Sequence, residues 1–287
     1  MGVHMANRID AQAFKQWQRE DWGRAAPHWR KFDEGLRRSY ESTTRRLLEL
    51  AGIQPGHRVL DIASGTGEPG LPAAEIAGPS GFVLLTDQSP EMLAIARDKA
   101  RAQDLHNVDF RVSDAEQLQL DPESFDAALC RGALCLMPEP VRCLRLVYES
   151  LKPGGRIAVL VVGRPQANPY FTIPYIVLRK YVSLPTYDPA APGPFAFANP
   201  DRLRSVLAQA SFRELHVEQV EHTMHLGSGH EYWDYIRGFS LVESLLAQIS
   251  TDQHDKIGDE IAASAAGGDP DGKVELQGES MLAAGVR

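Results

Sequence analysis

Cysteine is scarce in this sequence, with Cys130, Cys135 and Cys143 the only three. An odd count at irregular spacing excludes both a disulfide framework and a zinc signature. They read as reduced, small residues that fill a core. Long apolar runs are also missing. The longest, Ile157 to Val162, falls far short of a bilayer span. Cationic residues are outnumbered, 30 against 38 acids for a net charge of −8, which argues against a broad phosphate-binding surface and against nucleic acid as a partner. No secretory signal is evident, and Met1-Gly2-Val3-His4-Met5 reads as a cloning remnant. A cytoplasmic protein is the expectation. What remains, 43% hydrophobic and 24% charged residues, is the composition of a folded globular chain.

Apolar runs and helical patterns alternate between residues 58 and 162. Val59–Ala63, Phe82–Thr86, the alternating Val108, Phe110 and Val112, Phe125–Cys130 and Ile157–Val162 predict five strands. Ser89-Pro90-Glu91 starts a helix, because serine caps free amides and proline suits the first helical position. Met92, Leu93, Ile95, Ala96 and Ala100 form its apolar face. Val141, Leu144, Val147, Tyr148 and Leu151 form another, with Pro153-Gly154-Gly155 expected to stop that helix and turn the chain. Strands alternating with helices imply an α/β fold with a parallel sheet covered on both faces.

The flanks differ. Residues 10–51 read as helices carrying Trp17, Trp22, Trp29 and Tyr40. Residues 164–200 hold eight of the 19 prolines and the aromatics Tyr170, Phe171, Tyr175, Tyr181, Tyr187, Phe195 and Phe197. They are expected to form an irregular lid inserted after the fifth strand. Asp201–Ala210 and residues 230–265 read as helical, and Phe212–Leu226 and Val274–Val286 as strands, with Gly278 a candidate bulge.

The chemistry is concentrated in Val59-Leu60-Asp61-Ile62-Ala63-Ser64-Gly65-Thr66-Gly67-Glu68-Pro69-Gly70. Gly65, Gly67 and Gly70 satisfy the G-x-G-x-x-G pattern of dinucleotide sites, so a nicotinamide oxidoreductase is one reading. Asp61 opposes it. A carboxylate at the strand end repels a pyrophosphate but suits a cationic amino-acid group or a clamp on the loop amides. Asp87, at the tip of the second strand, can accept both hydroxyls of a ribose, which either cofactor offers. Gly67 is expected where the backbone must approach a cofactor closely.

Val59–Gly67, Thr86–Leu93, Val112–Leu118, Phe125–Pro140 and Leu151–Val162 resemble, in order and spacing, the segments of class I S-adenosylmethionine-dependent methyltransferases, in particular the ubiquinone/menaquinone C-methyltransferase-like group. The resemblance implies a Rossmann-like, doubly wound seven-stranded sheet whose last strand is antiparallel. It also implies one domain over 1–287, with a helical N-terminal cover (10–51), a cofactor-binding core (55–163), the lid (164–200) and a C-terminal part (201–287). S-adenosylmethionine would be the cofactor. Asp61, Ala63, Ser64, Gly65 and Gly67 would hold its methionine part, Asp87 its ribose, Gln88 and Met92 its adenine, and Asp114-Ala115 the adenine amino group. Cys130-Arg131 would lie beside the methyl, and Trp29 and Tyr40 of the cover would close over it. Asp114 has a second reading as the cap of a short helix, and Arg131 as a structural ion pair.

The implied reaction is methyl transfer to carbon or oxygen of an apolar, aromatic or isoprenoid-like small molecule. A protein that binds the cofactor without methylating is the alternative. Displacement at an activated sulfonium carbon requires no metal, and positioning alone is worth about 7–11 kcal/mol. If a base is needed, His28 is the first candidate and Tyr170 or Tyr175 the second. His216, His222 and His225 suggest a metal site, but on a strand His225 points away from the other two, so they read as surface residues. The tryptophans have packing as their plainer role.

Overall fold

The computed structural model describes residues 11–185, 188 and 191–287; Met1–Met5 and Tyr187 lie outside the described residues. Its elements are α1 (Ala11–Ala51), β1 (Arg58–Ile62), α2 (Gly70–Ala77), β2 (Phe82–Asp87), α3 (Pro90–Ala102), β3 (Val108–Val112), β4 (Phe125–Arg131), α4 (Pro140–Ser150), β5 (Leu151–Val162), α5 (Pro169–Leu178), α6 (Pro200–Gln209), β6 (Arg213–Ser228), α7 (Gly229–Arg237), α8 (Ser240–Leu246), α9 (His254–Ala265) and β7 (Lys273–Val286). The sheet runs β3-β2-β1-β4-β5-β7-β6. The first five strands pair in parallel, and β7 pairs antiparallel with β5. This is the expected seven-stranded, Rossmann-like α/β sheet.

The chain divides into two compact units. The first, called the core unit here, comprises Glu41–Arg164, residues 189–221 and Glu279–Arg287. Successive side chains of a strand point to opposite faces, so both faces of its sheet are apolar. Leu60 and Ile62 pack with Leu144, Val147, Val159, Phe197 and Leu207 on one face. Val59 packs with Leu47, Leu71, Val83, Leu93 and Leu129 on the other. At its far end the Arg164 guanidinium pairs with the buried Glu279 carboxylate at 2.5 Å. Ser89 caps α3 as expected, accepting from the Met92 amide at 3.2 Å.

The other unit comprises residues up to Tyr40, 165–188 and 222–278. Its apolar cluster includes Leu36, Tyr170, Val177, Met224, Leu226, Tyr232, Ile236, Ile257 and Ile261. Here the N-terminal tryptophans find aromatic neighbours. Trp29 lies 5.7 Å from Trp22, edge-on to Tyr235 at 6.3 Å and stacked on Phe239 at 6.4 Å. Trp17 is exposed.

Several expectations change. Pro153-Gly154-Gly155 does not turn the chain, because α4 ends at Ser150 and these residues form an irregularity within β5, opposite the register shift between Phe125 and Ala127. Such a bulge absorbs residues without leaving the ladder, and Gly154 takes a φ of 81° there. The 164–200 segment is divided between the units, and Pro169 at the first helical position starts a regular helix, α5, that tolerates Pro174 within it. His222 is not a surface residue. The inward face of β6 changes along its length, from Leu215 and Val217 to Met224 and Leu226, so counting in twos from His216 assigns His222 to the wrong environment. Gly278 lies in uninterrupted β7, where a Cβ would fall 2.5 Å from the His222 ring. No helix among the described residues is long and apolar enough to cross a membrane.

Candidate active site

The strand order reverses between β1 and β4, and open α/β sheets bind ligands beyond the carboxyl ends of strands at such a point. All the elements that converge there belong to the core unit. After β1 the chain turns through three positive φ values, 52° at Ala63, 53° at Gly65 and 101° at Gly67. Ala63 pays for its Cβ in this left-handed region, typically about 1–2 kcal/mol. The turn is fastened to β2, with the Ser64 amide donating to the Thr86 carbonyl at 2.9 Å and the Thr86 hydroxyl to the Asp61 carbonyl at 3.1 Å.

The three glycines serve different purposes. A Cβ at Gly65 would meet no atom within 4 Å, so its face of the loop is open. At Gly67 a Cβ would lie 2.8 Å from Leu71 Cδ1 and 3.3 Å from Ala96 Cβ. That glycine admits the packing of α2 and α3. At Gly70 a Cβ would lie 2.6 Å from Asp61 Oδ2.

Asp61 is fully buried, and neither carboxylate oxygen has a hydrogen-bond partner. The nearby Gly70 amide contributes field without hydrogen-bond geometry. Burial holds the Asp61 proton far above the usual carboxylate range, against the pull of the Arg131 guanidinium, and Glu68 and Asp87 push the same way as burial. Buried Ser64 Oγ is likewise unpartnered. Asp87 is pinned, Oδ2 accepting from the Gly65 amide and Oδ1 from the Ser89 amide, each at 2.9 Å. Burial raises its pKa, opposed by those amides. Arg131, at the tip of β4, donates to Thr44 Oγ1 at 2.9 Å and approaches Glu68 Oε2 at 4.0 Å. Asp61, Asp87 and Glu68 thus surround one arginine, and a cationic group brought beside Asp61 would favour loss of its proton.

The other expected residues fall into two groups. Gln88 and the buried Met92 flank the start of α3, and Asp114-Ala115 follow β3. Asp114 Oδ1 caps the short 3₁₀ turn there, accepting from the Glu116 amide at 2.9 Å. Cys130 is buried at the end of β4, where burial pushes its thiol up to about 12 and keeps it protonated at neutral pH. His28, Trp29, Tyr40, Tyr170 and Tyr175 all belong to the other unit. There His28 Nε2 lies 2.7 Å from the Tyr235 carbonyl, and the Tyr40 and Tyr170 hydroxyls are 2.7 Å apart. Glu68 and Thr44 were not foreseen, because each faces Arg131 only through the fold. Buried His222 was missed for the reason given above.

Residues 53–170 match the family described as a methyltransferase domain. Over 136 residues the chain is 39% identical to the ubiquinone/menaquinone biosynthesis C-methyltransferase UbiE of Ectopseudomonas mendocina, covering 47% of this chain and 52% of that protein. Residues 53–170 are thus similar to a methyltransferase domain. The chain spans about half the length of the curated relatives it matches. In fold it is similar to the YcgJ protein from Bacillus subtilis, with a TM-score of 0.56 at 16% identity over 86% of this chain and 98% of that one. It is also similar to the [4+2]-cyclase SpnF, with a TM-score of 0.52 at 25% identity over 85% of this chain and 79% of that one.

S-adenosylmethionine is the cofactor that the resemblance to methyltransferase domains implies, and the residues present fit it. An orphaned buried carboxylate wants an ammonium, an unpartnered serine hydroxyl wants a polar group, and the open face at Gly65 leaves room for both.

Proposed function

We propose that this chain transfers the methyl group of S-adenosylmethionine to a ring carbon or oxygen of an apolar small molecule of the hydroquinone kind. The observation that carries the reading is the unpaired, fully buried Asp61 carboxylate at the carboxyl end of β1. Such a group is tolerated where a cationic ligand completes it. The bound cofactor supplies a methyl already activated on a sulfonium, so the protein's part is to hold and orient. Asp61 and Ser64 are assigned to the methionine amino group, Asp87 to the ribose, Gln88, Met92 and Asp114-Ala115 to the adenine, and Arg131 to the methionine carboxylate. The acceptor class rests on the name of the UbiE relative.

The proton acceptor is assigned to His28. A carbonyl only accepts, so His28 Nε2 donates to Tyr235 and the neutral ring keeps its lone pair on Nδ1. Burial raises Tyr170 well above the ordinary phenol value and Tyr175 to about 12, which makes them hydrogen donors at neutral pH, not bases.

The test incubates the protein with S-adenosylmethionine and short-chain demethylmenaquinol under anaerobic conditions and follows S-adenosylhomocysteine and methylated product. Stoichiometric formation of both is expected. Its absence across a panel of quinols and phenols, with the cofactor bound, would overturn the reading. It would favour a second one, non-methylating chemistry on this fold, for which the likeness to a [4+2]-cyclase is the motive.

A further inference from the structure

Among the described residues, His222 is a buried polar side chain that the reaction above leaves unused. It is only 6% exposed on β6, and neither ring nitrogen has a hydrogen-bond partner. Burial pushes its pKa down to about 4, so at neutral pH the ring carries one N–H donor and one lone pair, and no charge. Its ring lies 4.9 Å from that of Tyr40, whose hydroxyl meets the Tyr170 hydroxyl at 2.7 Å. Tyr170 is fully buried. Gly278 on β7 leaves the space the imidazole occupies, since a Cβ there would fall 2.5 Å from Nε2. All four residues belong to one unit, whose apolar cluster includes Tyr170, Met224 and Leu226.

A leucine would fill this position without the desolvation cost that an unpaired imidazole incurs. The cost is recovered if a ligand completes the missing hydrogen bonds. A neutral imidazole and two protonated phenols offer hydrogen bonds and no charge, which suits an uncharged oxygen and not a carboxylate or a phosphate. We infer that His222, together with the Tyr40–Tyr170 hydroxyl pair, is a recognition point for an uncharged hydroxyl or carbonyl oxygen of a quinol-like ligand. That the ligand is quinol-like rests on the methyl-transfer reading. His222 is thus a specificity residue, since a site built to bond an oxygen discriminates strongly against the analogue that lacks it.

The experiment is calorimetry on the full chain saturated with S-adenosylhomocysteine, with two probes. One is short-chain demethylmenaquinol, and the other is a naphthalene bearing the same side chain without ring oxygens. Wild type is expected to bind the quinol at least tenfold more tightly than the naphthalene. His222→Phe, which keeps an aromatic ring but no nitrogen, should lose that preference while S-adenosylhomocysteine affinity stays unchanged. His222→Gln, with a donor and an acceptor, should restore part of it. Equal preference in wild type and His222→Phe, or no quinol binding by wild type, overturns the proposal. If the variant does not fold, ¹⁵N-histidine spectra of wild type decide instead. A shift of the His222 ring signals on adding quinol is expected, and unmoved signals refute it. Quinol binding through His222 without methyl transfer would sink the proposed reaction and leave the recognition point standing.

Discussion

Asp87 Oδ2 accepts the Gly65 amide at 2.9 Å, so the acid at the end of β2 also holds the loop that follows β1. Its other oxygen holds the Ser89 amide at the start of α3. Asp87→Ala should therefore act twice. Each orphaned amide costs about 1–3 kcal/mol, so the melting temperature should fall, and S-adenosylmethionine should bind at least tenfold more weakly. Thermal melts and calorimetry separate the two effects, and unchanged affinity would remove Asp87 from the cofactor site.

Asp61→Asn should show the opposite balance. The folded protein binds the Asp61 proton more tightly than the unfolded chain, whose aspartate titrates near 3.8. The carboxyl therefore loses stability as pH rises above that value through its folded pKa. Asparagine has no such slope, so the variant should melt no lower than wild type at pH 7 while its cofactor affinity drops at least tenfold. In wild type a cationic ligand displaces the proton, so affinity should climb with pH across the same range and go flat in the variant. A wild-type affinity independent of pH would contradict this.

Gly65→Ala and Gly67→Ala should part company. Both carry positive φ, at about 1–2 kcal/mol each. Only Gly67→Ala adds the collision with Leu71 and Ala96, worth about 1–3 kcal/mol more. Gly67→Ala should melt lower, whereas Gly65→Ala should lose cofactor affinity with a smaller drop. The reverse order of melting temperatures would count against the packing assigned to Gly67.

His28→Phe keeps the ring that packs 4.9 Å from Phe32 and removes Nδ1. With His28 as the base, turnover should fall about a hundredfold at unchanged cofactor affinity. Turnover within threefold of wild type would leave positioning alone to account for the catalysis.

The β1–β5 core was legible because its signals are local. Val59–Ala63 and Phe82–Thr86 are mostly apolar runs followed by glycines or a capping serine, and each became a strand. Asp61 and Asp87 were legible because a strand end fixes where the next side chain points. His222 was not, since burial on β6 depends on which cluster the strand passes over, and no count along the chain records that change. Pro153-Gly154-Gly155 misled for a related reason. Those residues turn a free chain, but beside β4 the ladder outweighs them. Arg131 is intermediate, since its place at the strand tip could be read and its partners Thr44 and Glu68 could not.

The sheet order carries a cost in time. β7 lies between β5 and β6, yet it is made after both. Until it arrives, β5 presents an open edge and β6 has no neighbour in the sheet, and bare edges invite pairing with other chains. Joining distant segments is also slow, because loop closure precedes any gain from pairing. Newly synthesised chains should thus pass through a stage in which β1–β5 are formed while the sheet remains unsealed, and Arg164 waits for Glu279 to close it.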